Sequence, residues 1–335
     1  MSKLIGKTWL LKLALPLVGA CLGVVPFIVN AGDETSAYPK RTVTIVVPVA
    51  PGGVTDVNAR LLAELLSKSL GQSFVVENRA GASGAIGASA VSRAAPNGYT
   101  LLFQYNAFHL ISPQINTSTP WDPLRDFVPI ANVSSNPQVI VVKTALPVTN
   151  FQALIDYGKS NPKKLTYGTA GIGSMHHVTT ELLQQITGAQ YTHVPFAGSG
   201  PVVTNLLGGV VDFALPGPSS VIPHVQSGKL RALAVTGNER LRAIPDVPTT
   251  VELGFEALVA YATSAMYAPV GTPEAIIKKL TKAIEEASRD EAYIKKLDTL
   301  GVAARYMSPS ELGKSDAAEY ERWGRVVKSA NIQPY

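Results

Sequence analysis

Residues 42–66, TVTIVVPVAPGGVTDVNARLLAELL, join an apolar, β-branched run to an amphipathic leucine-rich pattern through two adjacent glycines. β-Branched residues favour a strand, and leucines spaced three and four positions apart favour a helix. Gly52 and Gly53 therefore form the turn between a strand and a helix, and either Thr55 or Asp56 is expected to cap that helix.

The same alternation of strand and helix patterns continues to the C-terminus. Further strand-like runs are SFVVEN, YTLLFQY, VPIANV, QVIVVK, LTYGTA, YTHVPF, VDFALPG and KLRALAVTG. Further helix starts are predicted at Thr149 with Gln152, at Thr272 with Pro273, and at Ser308 with Pro309 and Glu311. Continuous apolar strands separated by helices predict an α/β fold whose mostly parallel sheets are covered by helices on both faces.

The strands fall into two sets, before and after about residue 140, which predicts two α/β lobes. We assign residues 38–140 plus 250–335 to lobe 1, residues 141–249 to lobe 2, and residues 1–31 to a signal peptide. In this division the last helices return to complete lobe 1. Short hinge strands, rather than a flexible tether, are expected between the lobes.

The N-terminal segment is basic, then apolar, and ends in small residues. Lys3, Lys7 and Lys12 surround an apolar stretch that ends near Val29, and cleavage after Ala31 would export the chain to the periplasm. A permanent membrane anchor fits less well because a lysine and two prolines interrupt the stretch. Lipidation at Cys21 also fits less well because the apolar run continues beyond it.

Composition excludes several classes of protein. The chain has 335 residues, of which 46% are hydrophobic and 16% charged, as in a folded globular protein. Residues 1–31 hold three lysines and no acidic residue, so their removal lowers the formal charge from +5 to +2, which argues against nucleic-acid binding. Cys21 is the single cysteine, so a chain cut after Ala31 has no disulfide, thiolate nucleophile or cysteine-zinc site.

The turns that follow the predicted strands share one composition. PVAPGGVTD, NRAGASGAIG, TAGIGSMHH, PFAGSGPV and LPGPSS are rich in glycine, serine and threonine and nearly free of charged side chains. Glycines let a ligand approach the main chain, and the helix behind each turn offers unpaired N–H groups at the positive end of its dipole. Each turn alone could be a simple tight turn with a helix cap. Together they predict a cleft that binds an anion.

Enzyme signatures are mostly absent. The stretch GASGAIG is not a dinucleotide fingerprint, GKS lacks the first glycine of a phosphate loop, and no nucleophile elbow occurs. His176 and His177 are adjacent and would point about 100° apart on a helix, which suits a shared metal poorly. Ser174 with His177 could imitate a nucleophile and its base, or be a capping serine with a polar histidine at the cleft. We expect no catalytic residue, metal or cofactor.

The ordered blocks of this chain resemble those of a known family. They include PGGVTDVNARLLAELL, VVENRAGASGAIGA, AAPNGYTLLF, WDPLRDFVPIANV, LTYGTAGIGSMHHV, THVPFAGSGPVVTNLLGGVVDFAL, SGKLRALAVTG, IPDVPTTVELGF and APVGTP. Over about residues 38–331 the chain is similar to the solute-binding proteins of tripartite tricarboxylate transporters, the Bug family. The resemblance implies a type II-like, Venus flytrap periplasmic binding fold that closes around a small di- or tricarboxylate or aromatic carboxylate and delivers it to membrane permease subunits.

The resemblance also implies the ligand-binding residues. Carried onto this sequence, with two aromatic residues beside the turns added, they are Pro51, Gly52, Gly53, Thr55, Asp56, Ala82, Ser83, Gly84, Phe108, Ser174, His177, Phe196, Gly198, Ser199, Pro216 and Ser219. Gly173 and Asp212 are expected nearby. In this arrangement the glycines expose a helix N-terminus to a carboxylate, and Asp56 caps the helix or orders bridging water. A monomer without a nucleic-acid partner is expected.

The sequence departs from the family at positions near the implied cleft. Phe196 and Ala197 stand where the family commonly has tyrosine and lysine, and a family tryptophan near Thr263 is missing. A less basic, more apolar pocket would favour an aromatic or semi-polar acid over citrate. Two other functions stay open: a sensor that reports ligand occupancy to a two-component kinase, and an exported hydrolase that uses Ser174 and His177.

Overall fold

The computed structural model describes residues 37–333 except 117 and 301. The predicted signal peptide, with Cys21, lies outside the described residues. Within the described part, no helix is both long and apolar enough to cross a membrane.

Eleven strands and ten α-helices make up the described chain. The strands are β1 Val43–Val47, β2 Phe74–Asn78, β3 Thr100–Tyr105, β4 Phe127–Pro137, β5 Val139–Lys143, β6 Thr166–Thr169, β7 Thr192–Pro195, β8 Phe213–Ala214, β9 Leu230–Val235, β10 Tyr261–Pro269 and β11 Ala303–Met307. The helices are α1 Val54–Leu70, α2 Ala85–Ser92, α3 Ser112–Ile115, α4 Phe151–Ser160, α5 Met175–Thr187, α6 Ser199–Leu207, α7 Pro218–Gln226, α8 Glu274–Ala287, α9 Glu291–Thr299 and α10 Pro309–Ser329. A π-helical turn spans Ala107–Ile111, and 3₁₀ turns span Ala82–Gly84 and Glu256–Leu258.

The strands form two sheets, which confirms the two-lobed α/β prediction. The first has six strands in the order β11-β4-β10-β3-β1-β2, and the second has five in the order β7-β6-β8-β5-β9. Each sheet is mixed. Strands β1, β2 and β3 are parallel in the first, β6, β7 and β8 are parallel in the second, and the remaining pairs are antiparallel. The carboxyl ends of three parallel strands therefore lie together at one edge of each sheet.

Helices from both ends of the chain cover the first sheet. Leu62 and Leu66 of α1 and Leu280 and Ile284 of α8 are fully buried in one apolar core together with Ile45 of β1. Helix α10, the last of the chain, also packs on β4 of this sheet. The loops that follow β1, β2 and β3 therefore extend from a sheet with a tightly packed core.

The chain crosses between the sheets at segments that are tied to one another. Gln138 lies between β4 and β5, and residues 236–260 lead from β9 back to β10. The Gln138 N–H donates to Thr236 Oγ1 (2.8 Å), the same hydroxyl donates to the Ala260 carbonyl (2.8 Å), and the Ala260 N–H donates to the Thr236 carbonyl (3.0 Å). These bonds make a compact crossing point. The exact lobe limits stay a prediction.

An apolar cluster joins the two lobes beside this crossing. Ile111 and Ile115, which follow β3, pack with Met175 and Val178 of α5 and with Trp323 of α10. A side chain built at Gly173, just before α5, would come within 2.7 Å of Ile115. The segment that leads into α5 therefore lies directly against the segment that follows β3, so the carboxyl edges of the two sheets face each other.

Some local predictions were wrong. Helix α1 is preceded by Gly53 without a side-chain cap, not capped by Thr55 or Asp56. The cap of α4 is Asn150, which accepts from the Ala153 N–H (2.8 Å), rather than Thr149. The helix start predicted at Ser308, Pro309 and Glu311 is confirmed, and Ser308 and Glu311 form a capping box there.

Candidate functional site

The loop after β1 presents bare backbone at the edge of the first sheet. Pro51, Gly52 and Gly53 are exposed, and Gly52 has a φ of 87°, a left-handed conformation that favours glycine. A side chain built on Gly52 would meet no atom within 4 Å. The main chain of this loop is therefore open to direct approach by a ligand.

The first turn of α1 leaves donors free. The first intrahelical bond is from the Val57 N–H to the Gly53 carbonyl (2.9 Å). Among the described residues, the N–H groups of Val54, Thr55 and Asp56 have no such partner. Together with the helix dipole they make this helix end a candidate for anion binding.

Asp56 supports this loop from below. Its side chain is buried and accepts from the Gly52 N–H (2.9 Å), from Arg60 Nε (3.1 Å) and from Asn78 Nδ2 (2.8 Å). Burial opposes ionisation, but the hydrogen bonds from Arg60, Gly52 and Asn78 outweigh it, so the pKa of the Asp56 carboxyl is lowered. The carboxylate is thus fully engaged in holding the glycine turn in shape.

The loop after β2 stores backbone strain. Ala82 and Ser83 both have positive φ, at 47° and 49°, a conformation that costs energy for residues other than glycine. Gly84 follows with a φ of 88°, and a side chain there would come within 2.9 Å of Phe108. Phe108 lies half-buried in the π-helical turn after β3, edge-on to Tyr105. The loops after β2 and β3 are therefore packed against each other, and both π-turns and such strain are frequent at functional sites.

The loop after β6 repeats the helix-end arrangement in the second lobe. Ser174 caps α5 and accepts from the His177 N–H (3.4 Å), and its own hydroxyl donates to the Gly171 carbonyl (2.7 Å). The Gly173 N–H donates to His177 Nδ1 (3.2 Å). Within the described chain the His176 amide has no carbonyl partner, so it is the open donor of this helix end, whereas the amide of fully buried Met175 is directed to the Tyr105 hydroxyl.

The same contacts test the hypothesis that Ser174 is a nucleophile with His177 as its base. The Ser174 hydroxyl is directed to a backbone carbonyl, and His177 Nδ1 is occupied by a backbone N–H. The serine and the histidine therefore do not form the hydrogen bond that a nucleophile and its base require. Their arrangement is that of a capping serine and a histidine that supports the loop.

A stack of uncharged rings lies under this loop. The rings of His177 and His193 are 3.9 Å apart and nearly parallel, and Tyr167 stacks beyond them. His193 Nε2 lies 2.6 Å from the Thr169 hydroxyl. Burial, with a further contribution from His193, lowers the pKa of His177 to about 3, and burial lowers that of His193 to about 4. Both imidazoles are neutral near pH 7.

The remaining predicted residues follow β7 and β8. Phe196 packs over Gly168 of β6, Gly198 precedes α6 with a φ of 107°, and Ser199 is exposed on the first turn of that helix. Pro216 is buried and its carbonyl accepts from the Val139 N–H (2.9 Å), whereas Ser219 is exposed on α7. All the predicted residues of the second lobe thus follow the carboxyl ends of its parallel strands.

Asp212 lies elsewhere. It precedes β8 and accepts from the Thr166 N–H (2.8 Å) at the beginning of β6, and it forms an ion pair with Lys143 (2.6 Å) at the end of the antiparallel β5. These contacts place it at the amino ends of β6 and β8, so the expectation that it lies near the cleft is wrong.

Sequence reasoning missed the residues that hold the loops in place. Arg60 and Asn78 support Asp56, and Thr169 and His193 support His177. Asn78 and Thr169 are each the last residue of a strand that ends at the cleft, which is the only sequence signal that could have indicated them.

Comparison with known proteins agrees with this architecture. Residues 58–332 match the tripartite tricarboxylate transporter family receptor. Protein BugT of Bordetella pertussis is 38% identical over 319 residues, covering 94% of this chain and 97% of that protein.

Two solved structures with bound acids are similar throughout. R. palustris Rpa4515 with adipate is 34% identical, with a TM-score of 0.77 over 89% of this chain and 100% of that one. MatC (Rpa3494) from Rhodopseudomonas palustris with bound malate is 33% identical, with a TM-score of 0.74 over 87% of this chain and 100% of that one. The chain therefore belongs to the Bug family of tripartite tricarboxylate transporter receptors, a family of solute-binding proteins.

Proposed function

We propose that this protein is a periplasmic receptor that binds a small carboxylate between its two lobes and delivers it to a membrane permease. The observation that carries the proposal is the pair of open helix N-termini, α1 in the first lobe and α5 in the second, at edges that face each other. Membership of the receptor family and the adipate and malate named for two neighbours support it.

In this proposal the open amides of Val54 and Thr55 bind one part of the carboxylate ligand, and that of His176 binds another. Ser83 and Ser199 add hydroxyl groups at the neighbouring turns, and the other predicted residues shape the cleft. Asp56 and His177 act by keeping the loops in the conformation that exposes these donors.

The electrostatics favour a ligand with few charges. The guanidinium of Arg60 is bound to Asp56 and Asn78, and the histidines under the second loop are neutral. Phe108 and Phe196 add apolar surface beside the turns. We propose a short dicarboxylate or an aromatic acid, which leaves less charge unpaired than citrate does.

Capture requires the lobes to close, and we propose that they pivot at the bonded crossing of Gln138, Thr236 and Ala260. The lobes would be residues 38–140 plus 250–335 and residues 141–249, acting as a monomer on permease subunits. Export to the periplasm would follow removal of residues 1–31. N-terminal sequencing of the secreted protein tests that step.

A thermal-shift panel of the purified protein tests the proposed function. Adipate, malate, citrate, benzoate and terephthalate span the relevant charges and shapes. A ligand at 100 times its dissociation constant adds about 2.7 kcal/mol to the free energy of unfolding, which raises the melting temperature by several degrees. One acid should give a clear shift, and citrate should give less than the best dicarboxylate or aromatic acid.

A matched pair of variants locates the site. Gly52 and Gly71 both have positive φ and neither would place a new side chain within 4 Å of an atom, but only Gly52 lies in the cleft. Gly52→Ala should remove the ligand-induced shift, and Gly71→Ala should keep it. Equal ligand-induced shifts in both variants would refute the role of the glycine turn.

A further inference from the structure

A second cavity lies beside α10, where the first lobe meets the second. Its volume is about 580 Å³, within the range of small-molecule sites. The first-lobe wall comes from β4, β10, β11 and α10 and from residues 256–259, and the second-lobe wall comes from Leu182 and Gln185 of α5. None of the residues predicted for the carboxylate cleft lines it.

The cavity is lined by apolar side chains and by a buried polar residue that has an atom without a hydrogen-bond partner in the described chain. Its apolar lining is Leu110, Leu182, Val259, Met307, Leu312 and Val326. Buried Asn132 donates through Nδ2 to the Arg305 carbonyl (2.6 Å), while its Oδ1 has no hydrogen-bond partner in the described chain. Such a surface suits a molecule that is largely apolar with a polar end.

Three arginines line the cavity, and two of them are occupied. Arg322 binds Glu319 (3.1 Å) and the Ala257 carbonyl (2.7 Å), and Arg325 pairs with Glu321. Among residues 37–333, apart from 117 and 301, no acidic side chain lies within ion-pair distance of Arg305. Its guanidinium is therefore available for an anion.

We propose that this cavity is a second binding site, which takes an amphipathic organic anion with its charged group on Arg305 and its apolar part against Leu182, Leu312 and their apolar neighbours. The site is independent of the carboxylate cleft, so failure of either proposal leaves the other intact. Because its walls come from both lobes, an occupant would contact both lobes at once.

Asp316 gives the cavity a distinctive dependence on pH. It is buried beside the Tyr267 hydroxyl (3.1 Å), and burial raises the pKa of its carboxyl to about 7, with a smaller contribution from Glu319. The other charged side chains that line the cavity are Glu256, Arg305, Glu319, Arg322 and Arg325. Below pH 7 Asp316 is neutral, so an anion should bind more tightly at pH 6 than at pH 8.

Anilinonaphthalene sulfonate, a fluorescent aromatic anion, is a suitable probe. Fluorescence titration of the folded protein should show one saturable site. Arg305→Gln should weaken binding about tenfold through loss of a charge-assisted bond. Ser315→Trp, a half-buried position on α10 that lines the cavity, should block the site by filling it. Asp316→Asn should remove the pH dependence.

Arg242→Gln, at an exposed arginine that does not line the cavity, is the matched control and should bind the probe as the wild type does. Circular dichroism and melting temperature show that each variant is folded. Unchanged probe affinity in folded Arg305→Gln, or in folded Ser315→Trp, would overturn the proposal.

Discussion

The two loops proposed to bind the carboxylate, after β1 and after β6, are held in shape by different chemistry. In the first lobe, a buried carboxylate, Asp56, binds the Gly52 N–H and is held by Arg60 and Asn78. In the second lobe, a neutral histidine, His177, binds the Gly173 N–H and stacks on a second neutral ring. Each arrangement leaves at least one amide in the first turn of the following helix open.

In the proposed carboxylate site, therefore, the loop geometry presents the donor groups, rather than a charged side chain aimed at the ligand. An ionised carboxylate holds the first loop and a neutral imidazole holds the second, yet both loops expose backbone N–H groups. The supports should nevertheless fail under different conditions, because one depends on an ionised carboxylate and the other on uncharged imidazoles. The predictions below use that difference.

The largest effect is expected from Asp56→Ala. The substitution leaves the Gly52 N–H, Asn78 and Arg60 without their acceptor, which should cost about 3 kcal/mol of unfolding free energy. Ligand affinity should fall more than tenfold because the glycine turn is no longer held. Urea denaturation and calorimetric titration measure the two quantities.

Asp298→Ala is the control for this change, since Asp298 is exposed on α9 and should alter neither quantity. If Asp56→Ala behaved like Asp298→Ala, the ionic support of the first loop would be disproved.

As the pH falls, the groups that hold the second loop should lose their contribution to stability before those that hold the first loop. The folded protein keeps His177 and His193 neutral, with pKa values lowered to about 3 and about 4, whereas the unfolded chain takes up these protons below about pH 6.5. Stability should therefore fall as the pH drops from about 6.5 towards 4. The Asp56 contribution is present above the ordinary carboxyl pKa, near 4, and is lost only as the pH falls further, through its lowered folded value.

Urea denaturation at pH 7 and pH 5 tests this order. His109, buried in the first lobe with its pKa lowered to about 3, and His176, with its pKa lowered to about 4, contribute in the same window. The informative comparison is therefore between the wild type and His193→Gln, which has one fewer such proton to bind. The variant should lose less stability, by up to about 1.4 kcal/mol for each pH unit. An identical loss in both proteins would contradict the neutral stack.

The smallest effect is expected from removing the serine cap. Ser174→Ala should cost about 1 kcal/mol of stability, a typical value for an N-cap, and should also weaken ligand binding. Ser308→Ala removes an equivalent cap from α10, outside the cleft, and should cost a similar amount without changing affinity. If both variants bound ligand equally well, the second loop would not depend on its cap.

Most of the fold could be predicted because its strands are strongly apolar and its helices carry start signals. The strands β10 and β11 were missed. In β10, YATSAMYAP mixes alanine, serine and threonine with few large apolar residues, and β11 is a short edge strand with exposed positions. Their pairing with β4 is set by tertiary contacts, which local propensity does not reveal.

The backbone of the candidate site was also predictable, because glycine-rich turns follow the parallel strands. The supporting side chains were not. Asn78 lies 22 residues from Asp56 in sequence, and His193 lies 24 from Thr169, so their contacts depend on strands that pair in the folded state. The sequence predicts that Asp56 caps the helix or orders bridging water, and its role in the turn is not predictable because it requires those distant partners.

The central claim is that one carboxylate ligand is held by open amides from both lobes. Amide NMR spectra, recorded with and without the tightest-binding acid of the thermal-shift panel, test it most directly. The largest downfield proton shifts should occur at Val54, Thr55 and His176, whose amides are open, and not at Gly52 and Gly173, whose amides are already bonded. Large shifts confined to one lobe, or centred on the α10 cavity, would contradict the claim.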